Sequence, residues 1–153
     1  MKLRRAVAED SPAVAAVVRA VYDEFGFTWD GDGYHADLRD VRLSYAAFFV
    51  AELDGAIVGT AGLTERGSLE RLYLLPSARG AGTGSLLLRA VAEEAREQGH
   101  RRLEIWTDQR LESAHRLYER FGARRSGERI NDDPDRSAEW GYTLDLDEPT
   151  GLL

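Results

Sequence analysis

The sequence has no cysteine, which excludes disulfides, thiolate metal sites and a cysteine nucleophile together. Lysine is nearly missing too: of 20 basic residues only Lys2 is a lysine, a bias read as codon usage first and physics second. Long apolar runs are absent. The longest, Tyr45 to Ala51, falls far short of the roughly 20 residues that a membrane span needs. The N-terminus, Met1-Lys2-Leu3-Arg4-Arg5, leads into a mixed acidic stretch and not into a signal-peptide core. A cytoplasmic location and no membrane partner are the expectation. Nor is there an excess of basic charge. The formal net charge is −7, whereas nucleic-acid modules carry a basic footprint. An acidic surface mildly favours a neutral or cationic acceptor through steering.

What is present suits a soluble globular chain. Its 153 residues, 43% hydrophobic and 31% charged, predict one domain over 1–153 with a core of its own. Leu3 to Val7 reads as a first strand. Ser11-Pro12 then offers an N-cap and a proline in the first helical turn. Val14, Val17, Val18, Val21, Tyr22 and Phe25 keep the spacing of a half-buried helix, which Gly26 ends. A polar loop from Phe27 to Tyr34 precedes a weaker helix, Tyr34 to Tyr45. Asp54-Gly55 between two apolar runs predicts a hairpin, Ala47 to Leu53 and Ala56 to Leu63. Ser68 to Leu75 is a further strand, stopped by Pro76. A helix to about Gln98, a strand Arg102 to Thr107 and a helix Glu112 to Phe121 follow. Two strands, Ala123 to Ile130 and Ser137 to Leu146, close the chain around the turn Asn131-Asp132-Asp133-Pro134. Three consecutive strands before the glycine-rich loop exclude a simple alternating doubly wound sheet. The prediction is an α/β fold with a central twisted mixed sheet flanked by about four helices.

The chemistry-bearing segment is Arg79-Gly80-Ala81-Gly82-Thr83-Gly84, followed at once by a helix. Three glycines in five positions let backbone N–H groups converge. The helix adds unpaired N–H groups and a partial positive charge, so the loop suits a phosphate or pyrophosphate. The Gly-x-Gly-x-x-Gly fingerprint and the P-loop Gly-Lys-Ser/Thr ending are both missing. The bland reading is a glycine-rich turn packed on a sheet.

This loop resembles the Arg/Gln-x-x-Gly-x-Gly/Ala pyrophosphate loop of the GNAT N-acetyltransferases. Leu72-Tyr73-Leu74-x-Pro76 resembles that family's strand ending, and Ala114-x-x-Leu117-Tyr118-Glu119-Arg120-Phe121-Gly122 its last-helix signature. Two departures stand out: Leu111 where an asparagine is frequent, and Ala123 where an aromatic is usual. The resemblance implies the GNAT acyl-CoA N-acyltransferase fold and acetyl-CoA as co-substrate. Leu72, Tyr73 and Leu74 would bind the pantetheine arm, with the Leu74 N–H as oxyanion donor. Arg79, Gly80, Ala81, Gly82, Thr83, Gly84 and Ser85 would line the pyrophosphate. Tyr118 matches the tyrosine that protonates the leaving thiolate in many members; otherwise it is core.

Strand alternation puts Glu70 on one face with Leu72 and Leu74, making Glu70 the candidate base; the alternative is a salt-bridged strand residue. Trp29, Tyr34 and His35 are candidate acceptor contacts, by carboxylate pairing nearby or cation–π contact. His35 and His115 are the histidines placed to titrate usefully. With no cysteine and no His/carboxylate pair at ligand spacing, no metal is expected. The predicted reaction is acetyl transfer to a primary amine of a small molecule or peptide. Rival readings are a longer acyl donor, a protein N-terminal or lysine acceptor, a non-catalytic acetyl-CoA sensor, and a generic phosphate-binding domain. The final strands are a candidate surface for a homodimer.

Overall fold

The computed structural model describes residues 1–146, so the last part of the expected domain, 147–153, lies outside the described residues. Seven strands form one mixed sheet: β1 (Lys2–Arg5), β2 (Ala47–Leu53), β3 (Ala56–Leu63), β4 (Ser68–Leu74), β5 (Arg102–Asp108), β6 (Arg124–Ile130) and β7 (Ala138–Asp145). Their spatial order is β1-β2-β3-β4-β5-β7-β6. Every neighbouring pair is antiparallel except β4 with β5. Four helices accompany the sheet: α1 (Ser11–Phe25), α2 (Val41–Ser44), α3 (Thr83–Glu97) and α4 (Glu112–Arg120). None of the described helices is long and apolar enough to cross a membrane.

The alternation of β2 divides the interior in two. Ala47, Phe49 and Ala51 pack with Leu87, Leu88, Val91 and Ala95 of α3 and with Tyr118 of α4. Phe48 and Val50 face the other way, into a cluster with Val14, Val18 and Tyr22 of α1 and Val41 of α2. One strand thus serves both layers, as the period-two geometry of a strand covered on both faces requires. The hairpin forms where the Asp-Gly pair predicts it, with Asp54 at φ 52° and Gly55 at φ 82°, both left-handed as a type I′ turn demands.

Three expectations are corrected. Ser11 is not the N-cap of α1: Asp10 holds that position, and the buried Ser11 Oγ accepts the Val41 N–H at 3.1 Å, tying α1 to α2. The helix expected over 34–45 is split into a 3₁₀ turn, Ala36–Arg39, and the single turn of α2. The break is Asp40, extended at φ −150°, whose carboxylate accepts the N–H groups of Arg42 and Leu43. Asparagine and aspartate often trade helix for such local bonds.

The third correction concerns β4. Glu70 pairs with Gly62 but Tyr73 pairs with Thr60, so three residues of β4 span two of β3. The extra residue is Arg71, at φ 57°, a β-bulge that reverses the strand's parity. Glu70 therefore shares a face with Tyr73, on the α1 side. Leu72 and Leu74 pack into the α3 core, and the simple alternation of 70, 72 and 74 does not hold.

Tight packing in β3 makes one fold-level prediction. A Cβ on Gly62 would lie 2.8 Å from Phe48 Cδ2 and 3.0 Å from Tyr45 Cδ1, and both rings are buried. Gly62→Ala should cost about 1–3 kcal/mol through overpacking, read as a lower urea midpoint. An unchanged midpoint would mean that the rings yield freely.

Candidate active site

The two central strands part company. β4 and β5 pair only at Ser68 with Glu104 and Leu69 with Ile105, and beyond this a cleft opens between them. Leu75 donates its N–H to Val58 of β3 at 2.9 Å. The backbone polar groups of Leu74 therefore point the other way, into the gap, by the alternation of strand hydrogen bonding. The Leu74 carbonyl is already taken, by the Arg79 guanidinium at 2.9 and 3.1 Å. The same guanidinium pairs with Glu24 of α1 at 2.6 and 2.7 Å. Arg79 thus clamps the end of β4 to α1, instead of offering a free charge to a pyrophosphate.

The glycine loop is built by conformation. Gly80 and Gly82 have φ of 81° and 83°, and a Cβ on either would meet nothing within 4 Å. Backbone strain, not lack of space, is what selects glycine there. Gly84 differs, since its Cβ would lie 3.1 Å from Leu117 Cδ2, so α4 packs directly on the first turn of α3. Gly82 caps α3 without a side-chain acceptor, leaving the first-turn N–H groups and the helix dipole for an anion. The residues present fit a pyrophosphate.

Two chambers lie along the cleft and share Leu72, Tyr73, Leu111 and Ala114. The outer one, about 670 Å³, is lined by the glycine loop with Thr83, Ser85, the end of α1 and the near face of α4. The inner one, about 180 Å³, holds Glu70, Tyr118, Tyr34, Asp108, Arg129, Asn131, Asp133 and Glu139. Glu70 is exposed overall but lines the inner chamber among many neighbouring side chains. Burial, with Glu139 and Asp37 adding repulsion, pushes its carboxyl above the usual range against the pull of Arg71 and Arg129. Burial likewise raises Glu139, although Arg129 pairs with it at 2.9 Å. Tyr118 is 4% exposed, and burial pushes its phenol upward, reinforced by Tyr73 and Glu70.

Of the expected acceptor contacts, only Tyr34 lines the chamber. Its hydroxyl accepts from Asn131 Nδ2 at 2.9 Å, and burial pushes its pKa up to about 12. His35 is corrected to an internal residue, 1% exposed, stacked on Trp29 with ring centroids 4.3 Å apart. Trp29 lines neither chamber; it buttresses the wall behind Tyr34. His115 is also structural, its Nε2 2.9 Å from the Asp108 carbonyl. Sequence reasoning missed Glu139, Arg129, Asn131 and Asp133. Alternation in the last strand sets Glu139 opposite Trp140 and Tyr142, and that was the available signal. Among the described residues no group of three or more His, Asp or Glu is arranged to hold a metal ion.

Residues 14–123 match the model of the acetyltransferase (GNAT) family. The chain belongs to that family. It is 35% identical over 133 residues to the uncharacterized N-acetyltransferase YjgM of Escherichia coli, covering 78% of this chain and 80% of that protein. It is 32% identical over 135 residues to the aminoalkylphosphonate N-acetyltransferase of Salmonella typhimurium, covering 82% and 86%. The fold agrees with a GNAT acetyltransferase of Staphylococcus aureus, with TM-score 0.82 and 21% identity over 95% of this chain and 98% of that one. It also agrees with yncA of Salmonella typhimurium, solved with its cofactor acetyl-CoA, at TM-score 0.75 and 22% identity over 99% and 97%. The protein is an acyltransferase of the GNAT type, a family that uses acetyl-CoA.

The wall behind Tyr34 generates a pH prediction. The Asp30 N–H donates to His35 Nδ1 at 3.1 Å, which puts the ring proton on Nε2, and Nε2 has no partner among the described residues. Burial first, then the Arg71 charge, lowers the His35 pKa to about 4. The folded state thus favours the neutral ring. This contribution is fully present above the unfolded pKa near 6.5 and is lost as pH falls toward 4. Unfolding free energy should drop by roughly 2 kcal/mol more between pH 7 and pH 5 in the native protein than in His35→Gln. Equal slopes in the two proteins would show that His35 already titrates freely.

Proposed function

We propose that this acyltransferase moves the acetyl group of acetyl-CoA to a primary amine of a small molecule or peptide, by direct attack within a ternary complex. The observation that carries this reading is one continuous cleft. It has an anion-binding glycine loop at one end and, at the other, a chamber lined by the Glu70 carboxylate and the buried Tyr118.

Acetyl-CoA supplies a thioester whose carbonyl carbon accepts the amine. Glu70, through its raised carboxyl, takes the proton that the nitrogen must lose, directly or through a water. The Leu74 N–H faces the gap and is the donor placed for the oxygen that becomes an oxyanion. Tyr118, at the junction side of the inner chamber, gives its proton to the sulfur as the C–S bond breaks. Thr83, Gly84 and Ser85 begin the helix that holds the pyrophosphate. The carboxylates of the inner chamber attract an ammonium-bearing acceptor. The Salmonella relative's aminoalkylphosphonates are compact primary amines and head the list of acceptors to try. A cytoplasmic setting suits a reaction that consumes acetyl-CoA, and the whole chain is read as one domain.

Calorimetric titration should show micromolar binding of acetyl-CoA, weakened at least about tenfold in Gly82→Glu, which fills the anion site with a carboxylate. A folded sample that binds no acetyl-CoA would sink the reading, and one that binds it but releases no thiol with any amine would be a sensor. Once an acceptor is found, Glu70→Gln should lower kcat/KM by about 10²-fold. The base works deprotonated and burial raises its pKa, so native activity should fall with acid at a pH above the usual carboxylate range. Glu70→Gln should lose that limb; a retained limb would assign the base elsewhere.

A further inference from the structure

The charged residues that line the inner chamber are Glu70, Asp108, Asp133 and Glu139 against Arg71 and Arg129. Both arginines are committed. Arg71 holds Asp37, just outside the lining, at 2.9 Å, with its own side chain 9% exposed. Arg129 pairs with Glu139 at 2.9 Å and lies over the Trp106 ring at 4.3 Å. Asp108 is taken as well, by Arg110 at 2.7 and 2.9 Å. Arg110 is near enough to feel Asp133, but its bonds go to Asp108 and its guanidinium lies over Phe27. Glu70 and Asp133 make no ion pair among the described residues. With Asp37 and Arg110 counted, five carboxylates face three guanidiniums, and the excess is those two.

Glu70 and Asp133 share one space. Both line the chamber, and Glu139 is within electrostatic reach of each, raising Glu70 and being raised by Asp133. Asp133 belongs to the turn before β7, where its Oδ1 accepts the Ser137 N–H at 2.8 Å. Its second oxygen has no protein partner among the described residues. The volume, about 180 Å³, is below the roughly 300–1,000 Å³ of sites for drug-sized ligands. Tyr22, Phe27 and Tyr34 add aromatic wall, which suits both methylenes and the positive charge of an ammonium. Such a chamber fits a short aliphatic chain with a cation at each end. An acidic group is badly served. To meet one, Arg71 or Arg129 would have to abandon Asp37 or Glu139, and Glu139 is only 8% exposed. Stranding a carboxylate in such a place is costly.

We infer that the acceptor is a short aliphatic diamine, its reacting nitrogen at Glu70 and its second, protonated nitrogen on the Asp133 carboxylate. The inference rests on the acetyl-transfer reading of the cleft and names the class of amine. The reacting nitrogen loses its proton to Glu70 and gains the acetyl group as the C–S bond breaks and the thiol takes up a proton. The other nitrogen keeps its proton and only binds. Asp133 is thus a specificity residue. Aminoalkylphosphonates, first to be tried on kinship, carry an anion for which this chamber has no free cation.

The test is thiol release by the full chain with acetyl-CoA and four acceptors. They are a four-carbon α,ω-diamine, the monoamine and the ω-amino acid of the same length, and an aminoalkylphosphonate. Native protein should show a kcat/KM about tenfold higher for the diamine than for the monoamine, the worth of one charge-assisted contact. The ratio should shrink as salt rises. The two acidic acceptors should fall below the monoamine. In Asp133→Asn the ratio of diamine to monoamine should drop to near one. Asparagine keeps an oxygen for the Ser137 N–H, so the thermal midpoint should hold. Asp133→Glu, which restores the charge, should recover part of the ratio. A native ratio of one overturns the diamine reading alone, and so does an acidic acceptor that outpaces the monoamine. A ratio that survives in Asp133→Asn overturns the assignment to Asp133. Binding of acetyl-CoA with no thiol release from any amine overturns the transfer reading itself, and this inference with it.

Discussion

The cleft depends on one buried ion pair. Arg71 sits in the left-handed region, where a residue with a Cβ is disfavoured by about 1–2 kcal/mol, and its side chain is 9% exposed. A charge so placed is tolerated only with full satisfaction. Asp37 takes the guanidinium at 2.9 and 3.1 Å, the Tyr34 carbonyl takes a further N–H at 2.9 Å, and the Tyr34 ring lies 4.9 Å from its centre. Asp37 is held in turn by the Tyr45 hydroxyl. Burial alone would raise its carboxyl, yet the Arg71 contacts outweigh this and keep it below the usual range. At the backbone, the Thr60 hydroxyl donates to the Arg71 carbonyl at 2.7 Å. The bulge is therefore fastened on both sides, to β3 and to the 34–45 segment.

Its consequences reach the chemistry. Because the bulge reverses parity, β4 offers Glu70 and Tyr73 to the α1 side, and buries Leu72 and Leu74 under α3. The candidate base and the backbone groups of Leu74 thus come from a single strand without competing for the same face. The same fastening sets the far wall. Tyr34 leans on Arg71 and meets Asn131 across the cleft. Asp135, in the same turn as Asn131, accepts from both the N–H and the hydroxyl of Thr28. The β6–β7 turn is thereby tied to the segment before α2, and the inner chamber gets a roof from two elements remote in sequence.

Much of this was legible before any coordinates. The hairpin of β2 and β3 ends at the predicted residues, because alternation and an Asp-Gly pair are local signals that agree. The glycine loop and the two helices after it are equally local: Gly82 at a helix start and Leu117-Tyr118 on an apolar stripe need no distant partner. The failures share one cause. Nothing in the string around Arg71 marks a left-handed residue, because what holds it there, Asp37 and Tyr34, lies 34 and 37 residues away. Any parity argument across it inherits the error. Arg79 looked free because Glu24 is 55 residues distant. Glu139 does not stand out from the polar residues of the last strand, although it is 8% exposed and Arg129, its partner, is on the neighbouring strand.

The two raised carboxyls and the raised Tyr118 phenol bear differently on the proposed chemistry. A carboxyl moved upward is a stronger base in its ionised form, which narrows its gap to an ammonium near 10. Glu70 gains by burial. Tyr118 does not: a phenol above its ordinary value is a poorer acid than the thiol whose sulfur it would protonate, if that thiol resembles a cysteine near 8.5. Burial therefore favours early proton removal from the amine and late proton delivery to sulfur, after charge has built up there. Glu139 sharpens the asymmetry. Its charge raises Glu70, while Arg129 pairs with Glu139 itself, so Glu139 repels Glu70 without standing as a free second base. An incoming ammonium that pairs with Glu70 relieves the repulsion that made the carboxyl basic, and it is then the group best placed to give up its proton there.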